Sequence, residues 1–358
     1  MSHHLTRRTR IHKRLLFFIP VLLFIIFLYF NAFDSLNTPV LTNDTLQASS
    51  YAITAVTFHS NVYTKETPLN VSVEIAAAPS LARTLWLGFS IVSPLGNTTD
   101  FPLAEVTPEP GGAVTFPLAY LLEASVPDDL TSGPYTAVFS LWDSDPITKD
   151  AVRLAKLRKT DAFRLYNDIE HFQTFDDKEW YSRNGQLGRT LLKNGHVAVS
   201  SDRLTIRIPA NTLEGGEIQT TALRHFGSYE VSMKLPDAPS SITGFFLYKA
   251  PDFHHEIDIE IFNQPESNVL FTSYHEGMTQ HENKTSLAFD PTAGFHRYRI
   301  DHYPDRVSFY IDDTKVQSWD HGFTMEPMHL MVNTWFPEWL DGLAPEEDQK
   351  LYIEWIRY

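Results

Sequence analysis

The sequence predicts an all-β protein, two β-sandwiches in tandem behind an apolar N-terminal segment. Three observations predict it. Short runs of alternating apolar and polar residues recur from residue 51 to the C-terminus, separated by Pro, Gly and Asn. No helix-length apolar periodicity runs through residues 167–358. One unbroken apolar stretch, LLFFIPVLLFIIFLYF, covers residues 15–30. The length of 358 residues suits about two domains. Hydrophobic residues make up 43% and charged residues 20%, which excludes a wholly disordered chain. A net charge of −15 repels phosphate backbones, so nucleic acid is not an expected partner. The absence of cysteine excludes disulfide frameworks, thiolate metal sites and cysteine nucleophiles.

The elements follow in order. Residues 1–14 form a basic tail carrying Arg7, Arg8, Arg10, Lys13 and Arg14. Residues 15–33 read as a transmembrane signal anchor. About 19 helical residues span roughly 28 Å, close to a bilayer core. The preceding cations leave the N-terminus cytoplasmic and the rest of the chain outside. A cleaved signal peptide, with secretion, is the rival reading, and its small-residue cleavage site is hard to find in YFNAFDSL. Residues 34–50 are small and polar and read as a linker. In residues 51–166 the runs Ala52–Thr57, Leu69–Ala76, Thr84–Ile91, Ala113–Phe116 and Tyr135–Trp142 alternate as strands. About seven strands in about 115 residues is the size of an immunoglobulin-like sandwich. Nothing in this segment looks catalytic, and a spacer or a carbohydrate-binding module is expected.

Residues 167–358 alternate again. Leu204, Ile206 and Ile208 form one apolar face, and Tyr229, Val231, Met233 and Leu235 another. Val307, Phe309 and Ile311 form a third, and Asp312–Asp313 turns the chain into Lys315–Trp319. About 190 residues of long strands fit a two-sheet jelly roll.

The segment His254–Phe262, HHEIDIEIF, carries the chemistry. At period two, Ile257, Ile259 and Ile261 point into a core, and Glu256, Asp258 and Glu260 point the other way in a row. Like charges on one strand face repel, which a purely structural strand avoids. A solvated acidic face on an outer strand is one alternative. A metal site is another, but same-face neighbours lie about 6.7 Å apart along a strand, too spread for one tight ion without ligands from elsewhere. The row fits glycoside hydrolysis by paired carboxylates. Retention needs a nucleophile and an acid/base about 5–5.5 Å apart. The Glu256 and Glu260 Cα atoms lie roughly 13 Å apart on a flat strand, and a concave sheet brings the long side chains together over the short Asp258. Crowded carboxylates hold a proton near neutral pH, supplying one ionised and one protonated group.

Several motifs recur in order around this strand. They are Gly215–Thr221 (GGEIQTT), Phe226–Lys234 (FGSYEVSMK) and Gly244–Tyr248 (GFFLY), then the acidic strand. Asp290–His296 (DPTAGFH), Tyr310–Asp313 (YIDD), Asn333-Thr334-Trp335 with Trp339-Leu340, and Glu354–Tyr358 (EWIRY) follow. With them, residues 170–358 resemble glycoside hydrolase family 16, and within it the bacterial lichenases (β-1,3-1,4-glucanases). The resemblance implies a concanavalin-like jelly roll with Glu256 as nucleophile and Glu260 as general acid/base. Asp258 would hydrogen-bond the nucleophile and tune the row. The absence of an extra residue between Asp258 and Glu260 is similar to the lichenase pattern, and favours mixed-linkage β-glucan over plain β-1,3-glucan. Glu217, Phe246, Tyr248, His254, Tyr274, Asn333, Trp335 and Trp339 would be substrate-binding residues of the cleft. Gln219 replaces an Arg of the lichenases, and His254-His255 replaces Trp-Asp. No cofactor is implied for catalysis. A structural Ca²⁺ is implied in part through Glu354. The expected partners are a polysaccharide and, through residues 15–33, a membrane, with the protein acting as a monomer. Two rivals remain: a transglycosylase, and a glucan-binding module without catalysis.

Overall fold

The computed structural model describes residues 41–43, 50–79, 83–122 and 130–358. The basic tail, the apolar run 15–33 and most of segment 34–50 lie outside the described residues. Within that segment Leu41–Asn43 is a short strand, paired antiparallel with Leu157–Lys159. Among the described residues no helix is long and apolar enough to cross a membrane. The chain there is strand after strand, with one 3₁₀ turn at Asn194–His196.

Residues 51–166 form a two-sheet sandwich. One sheet has three strands in the order Tyr51–Phe58, Leu69–Ala77, Ala113–Tyr120. The facing sheet runs Arg153–Tyr166, Gly133–Trp142, Leu85–Val92, Thr98–Asp100. Val62–Thr64 joins it parallel to the end of Arg153–Tyr166. Alternation explains the core: Leu69, Val71, Val73 and Ile75 face Leu85, Leu87, Phe89 and Ile91, all buried in one cluster. The run expected to stop at Phe116 continues through Pro117 to Tyr120. Among the described residues Ala113–Tyr120 pairs only with Leu69–Ala77, as an edge strand does, and there a missing N–H is tolerated.

Residues 169–357 form a larger two-sheet jelly roll. The first sheet centres on Gln349–Arg357, Gly227–Lys234, His296–Tyr303 and Arg306–Ile311. The second runs Glu214–Thr220, His329–Trp335, Ile242–Lys249, His255–Phe262, Asn268–His275, Met278–Ser286. Leu204, Ile206, Tyr229, Val231, Met233, Leu235, Val307, Phe309 and Ile311 fill the space between them. Asp312 and Asp313 take left-handed φ values of 47° and 65°, making the tight turn their residue type tolerates. Gly215 packs so closely on the neighbouring strand that an added Cβ would lie 2.2 Å from the Thr334 carbonyl oxygen.

Polar contacts join the two sandwiches. Arg164 pairs with Asp301 at 2.8 Å, and the Tyr166 hydroxyl donates to Glu230 at 2.7 Å. Arg357 holds Glu230 from the other side at 2.8 Å. The Tyr303 hydroxyl donates to the Ser132 carbonyl. All these partners in the jelly roll sit on the sheet opposite the acidic strand. A cavity of about 750 Å³ at the junction is lined from both sandwiches, including Tyr135, Asn167, His225 and Tyr358, and by no residue of the acidic strand.

Candidate active site

The acidic strand His255–Phe262 is paired antiparallel on both sides. Ile257, Ile259 and Ile261 are fully buried between the sheets, so the alternate residues face outward. In register, Glu256 lies between Tyr248 and Tyr274, Asp258 between Phe246 and Thr272, and Glu260 between Gly244 and Leu270. Glu256 and Glu260 are partly exposed, and Asp258 is buried between them.

Burial and mutual repulsion decide the protonation of the row. Burial, then Glu260 and Asp252, push the Glu256 carboxyl up to about 8. Burial and then Glu282 push Glu260 up to about 7. Burial, then Glu256 and Glu260, hold Asp258 well above the usual carboxylate range, while the Thr272 hydroxyl that donates to it acts the other way. The row therefore binds protons near neutrality as a unit. Its hydrogen-bond partner for Asp258 is Thr272, a residue that the sequence reading did not single out.

Three strands across the sheet, in register with Glu260 through Gly244 and Asn333, Glu217 is 1% exposed. Arg183 pairs with it at 2.8 Å, and the Asn333 amide donates to it at 3.1 Å. Burial raises its pKa, with Arg183 and Asn333 opposing. Glu217 reaches no solvent, so what it offers a ligand passes through Arg183 and Asn333. Asn333 is itself buried, and its carbonyl oxygen accepts from the Gly244 N–H at 3.2 Å. A Cβ on Gly244 would lie 2.8 Å from that oxygen, which is why the residue beside Glu260 is glycine.

The aromatic candidates divide. Phe246 is nearly buried beneath the row, whereas Tyr248 and Tyr274 flank Glu256 and remain partly exposed. The Tyr248 hydroxyl donates to Asp252. Trp335 shares the face of Asn333 and packs over Gly188. Trp339 is 55% exposed at the far end of the row, its ring 6.0 Å from that of Phe262. His254 lies at the other end, its Nε2 3.3 Å from where a Gly277 Cβ would stand. Sequence reasoning missed Arg183, Asp252 and Thr272. Period-two counting along Leu270, Thr272 and Tyr274 would have found Thr272; the other two come from a loop and a strand end with no periodic signal.

Glu354 does not gather a metal site. It accepts from the Ser232 hydroxyl at 3.0 Å, and among the described residues no group of three His, Asp or Glu side chains could hold an ion.

Known proteins share this arrangement of sequence. The family model for Glycosyl hydrolases family 16 matches residues 185–357. A Beta-glucanase of Acetivibrio thermocellus is 27% identical over 238 residues, 61% of this chain and 71% of the relative. A Beta-glucanase of Paenibacillus polymyxa is 28% identical over 196 residues, 52% of this chain and 82% of the relative. A solved Bacillus licheniformis beta-glucanase aligns at 24% identity over 53% of this chain and 96% of its own, with a TM-score of 0.49. With three crowded carboxylates on the open face of their second sheet, residues 185–357 are a glycoside hydrolase domain and belong to glycosyl hydrolase family 16.

Proposed function

We propose that the protein is a membrane-anchored, retaining endo-β-glucanase with a preference for mixed-linkage β-1,3-1,4-glucan. The observation that carries the reading is the Glu256–Asp258–Glu260 row, whose protons are held near neutrality on the open face of a family 16 domain. Relatives named Beta-glucanase support the substrate class, and the compact E-I-D-I-E spacing supports the linkage.

The first step requires the row's shared proton on Glu260, the reverse of the order in the free row, so that the Glu256 carboxylate attacks the anomeric carbon. The glycosidic C–O bond breaks, and Glu260 gives its proton to the departing oxygen. In the second step water loses a proton to Glu260 and displaces Glu256, releasing a sugar of unchanged anomeric configuration. Asp258, held well above the usual carboxylate range by burial and by its neighbours, stays protonated and so spares Glu256 and Glu260 a third charge between them.

The anchor rests on the apolar run 15–33 and its basic flank. An immunoglobulin-like reading of residues 51–166 is supported by strand order: first, second and fourth long strands in one sheet, and third, fifth and sixth in the other. Its contacts with the sheet opposite the acidic strand favour a positioning role over a share in the cleft. The protein is proposed to act as a monomer.

The test is incubation of the full chain in detergent with barley β-glucan and laminarin, following product mass and, by NMR, the anomer released first. Short oligosaccharides released as the β-anomer support the proposal. Release of the α-anomer rejects retention, products longer than the substrate indicate transglycosylation, and binding without cleavage indicates a glucan-binding module.

A further inference from the structure

Phe253 stands just before the acidic strand, and neither hydrophobic core uses it. It is 53% exposed, an unfavourable place for a phenyl ring unless something covers it. Its backbone is also left-handed, with φ of 66°. That conformation is a genuine outlier for a bulky residue, and such strain persists only where the surroundings impose it. Here they do. The Phe253 carbonyl oxygen accepts from the Gly277 N–H at 3.0 Å, which ties the segment to the turn between Asn268–His275 and Met278–Ser286. The ring meets the ring of Tyr274 edge-on, centroids 5.5 Å apart at 61°. Tyr274 is the cross-strand neighbour of Glu256.

We infer that Phe253 is a stacking platform for a glucosyl ring at the Glu256 end of the cleft. The inference rests on the glucanase reading above. A phenyl face has no hydrogen-bonding group, so it recognises the apolar C–H face of a pyranose rather than its hydroxyls. β-Glucose, with every hydroxyl equatorial, presents such a face on both sides. A galacto-configured ring, whose axial 4-hydroxyl blocks one face, could stack only through the other. Phe253 is therefore a substrate-binding residue and takes no part in bond cleavage.

The experiment compares Phe253→Ala, Phe253→Trp and Phe253→Asn with wild type on barley β-glucan. It also compares retardation of Glu256→Gln and Glu256→Gln/Phe253→Ala in gels containing that glucan. Phe253→Ala is expected to raise KM about five- to tenfold with kcat within twofold, as loss of one aromatic contact implies. Phe253→Trp should restore KM. Asn tolerates the left-handed backbone, so Phe253→Asn should match or exceed the wild-type Tm while binding as weakly as Phe253→Ala. A purely structural residue would lose Tm and affinity together. Equal retardation of the two Glu256→Gln proteins, or a KM change below twofold in Phe253→Ala, overturns the platform and leaves the glucanase reading standing. If Glu256→Gln itself is not retarded and the wild type is inactive, the glucanase reading falls and the platform with it.

Discussion

Glu256→Gln should abolish activity and at the same time stabilise the fold, but only at high pH. In the folded protein the Glu256 carboxyl is pushed up to about 8 by burial, Glu260 and Asp252. In the unfolded chain it titrates near the ordinary glutamate value of 4.5. Its ionisation is therefore resisted by the fold. The contribution of the neutral carboxyl is whole below the unfolded pKa and is lost as the pH rises through the folded one. Each unit of displacement is worth about 1.4 kcal/mol, which caps the loss at pH 8 near 4 kcal/mol. The proton is shared with Asp258 and Glu260, so roughly half that, about 2 kcal/mol, is expected from one neutralisation. For a domain of this size that is a Tm gain of about 4–8 °C. Thermal melts of wild type and Glu256→Gln at pH 5 and pH 8, with kcat measured in parallel, test it. The variant should melt higher at pH 8, match wild type at pH 5, and lose at least about a thousandfold in kcat. A variant that melts no higher than wild type at pH 8, or gains equally at both pH values, refutes the argument that the row is held against its own repulsion. A kcat loss below tenfold refutes Glu256 as nucleophile.

Three further outcomes follow from the same contacts. Thr272→Val removes the hydroxyl that donates to buried Asp258. A hydrogen bond to a charged group is worth about 1.5 kcal/mol, so Asp258 should hold its proton to a pH about one unit higher, and with less charge beside Glu256 the acidic limb of the kcat/KM profile should move down, read from initial rates between pH 4 and 9. Arg164→Met leaves Asp301, 4% exposed, with Arg299 as its remaining cation at 3.3 Å. Removing half of a buried pair costs about 3 kcal/mol, so Tm should fall by several degrees in calorimetry. With the junction on the sheet opposite the acidic strand, kcat should hold within twofold. Gly244→Ala places a Cβ 2.8 Å from the Asn333 carbonyl oxygen, and should lower kcat/KM at least tenfold through Asn333, with a smaller effect in Gly244→Ala/Asn333→Ala than the single changes sum to.

Strand positions were legible wherever one face met a core and the other met solvent. Leu69–Ala77 and Leu85–Val92 read cleanly because every second residue is buried. Arg153–Tyr166 did not, because Arg, Lys and Asp interrupt its alternation. Those charges have tertiary purposes: Arg164 reaches Asp301 in the other sandwich, and Asp161 takes a left-handed φ at a break in register. Tyr229–Lys234 read as half-polar, yet Glu230 and Ser232 are buried too, because partners from distant strands and from the first sandwich cover them.

The sequence by itself determined that the described residues are strand after strand, and that Glu256, Asp258 and Glu260 share one strand face. Both follow from local alternation, whose period the backbone imposes on every strand. Only the tertiary structure decided which residues surround that row. Thr272 and Asp252 come to it from a neighbouring strand and a loop. Cross-strand register, burial and left-handed φ are properties of the assembled sheets, and no local spacing encodes them. The same assembly moves Glu217 from a cleft surface to a buried ion pair and turns an exposed phenylalanine toward Tyr274.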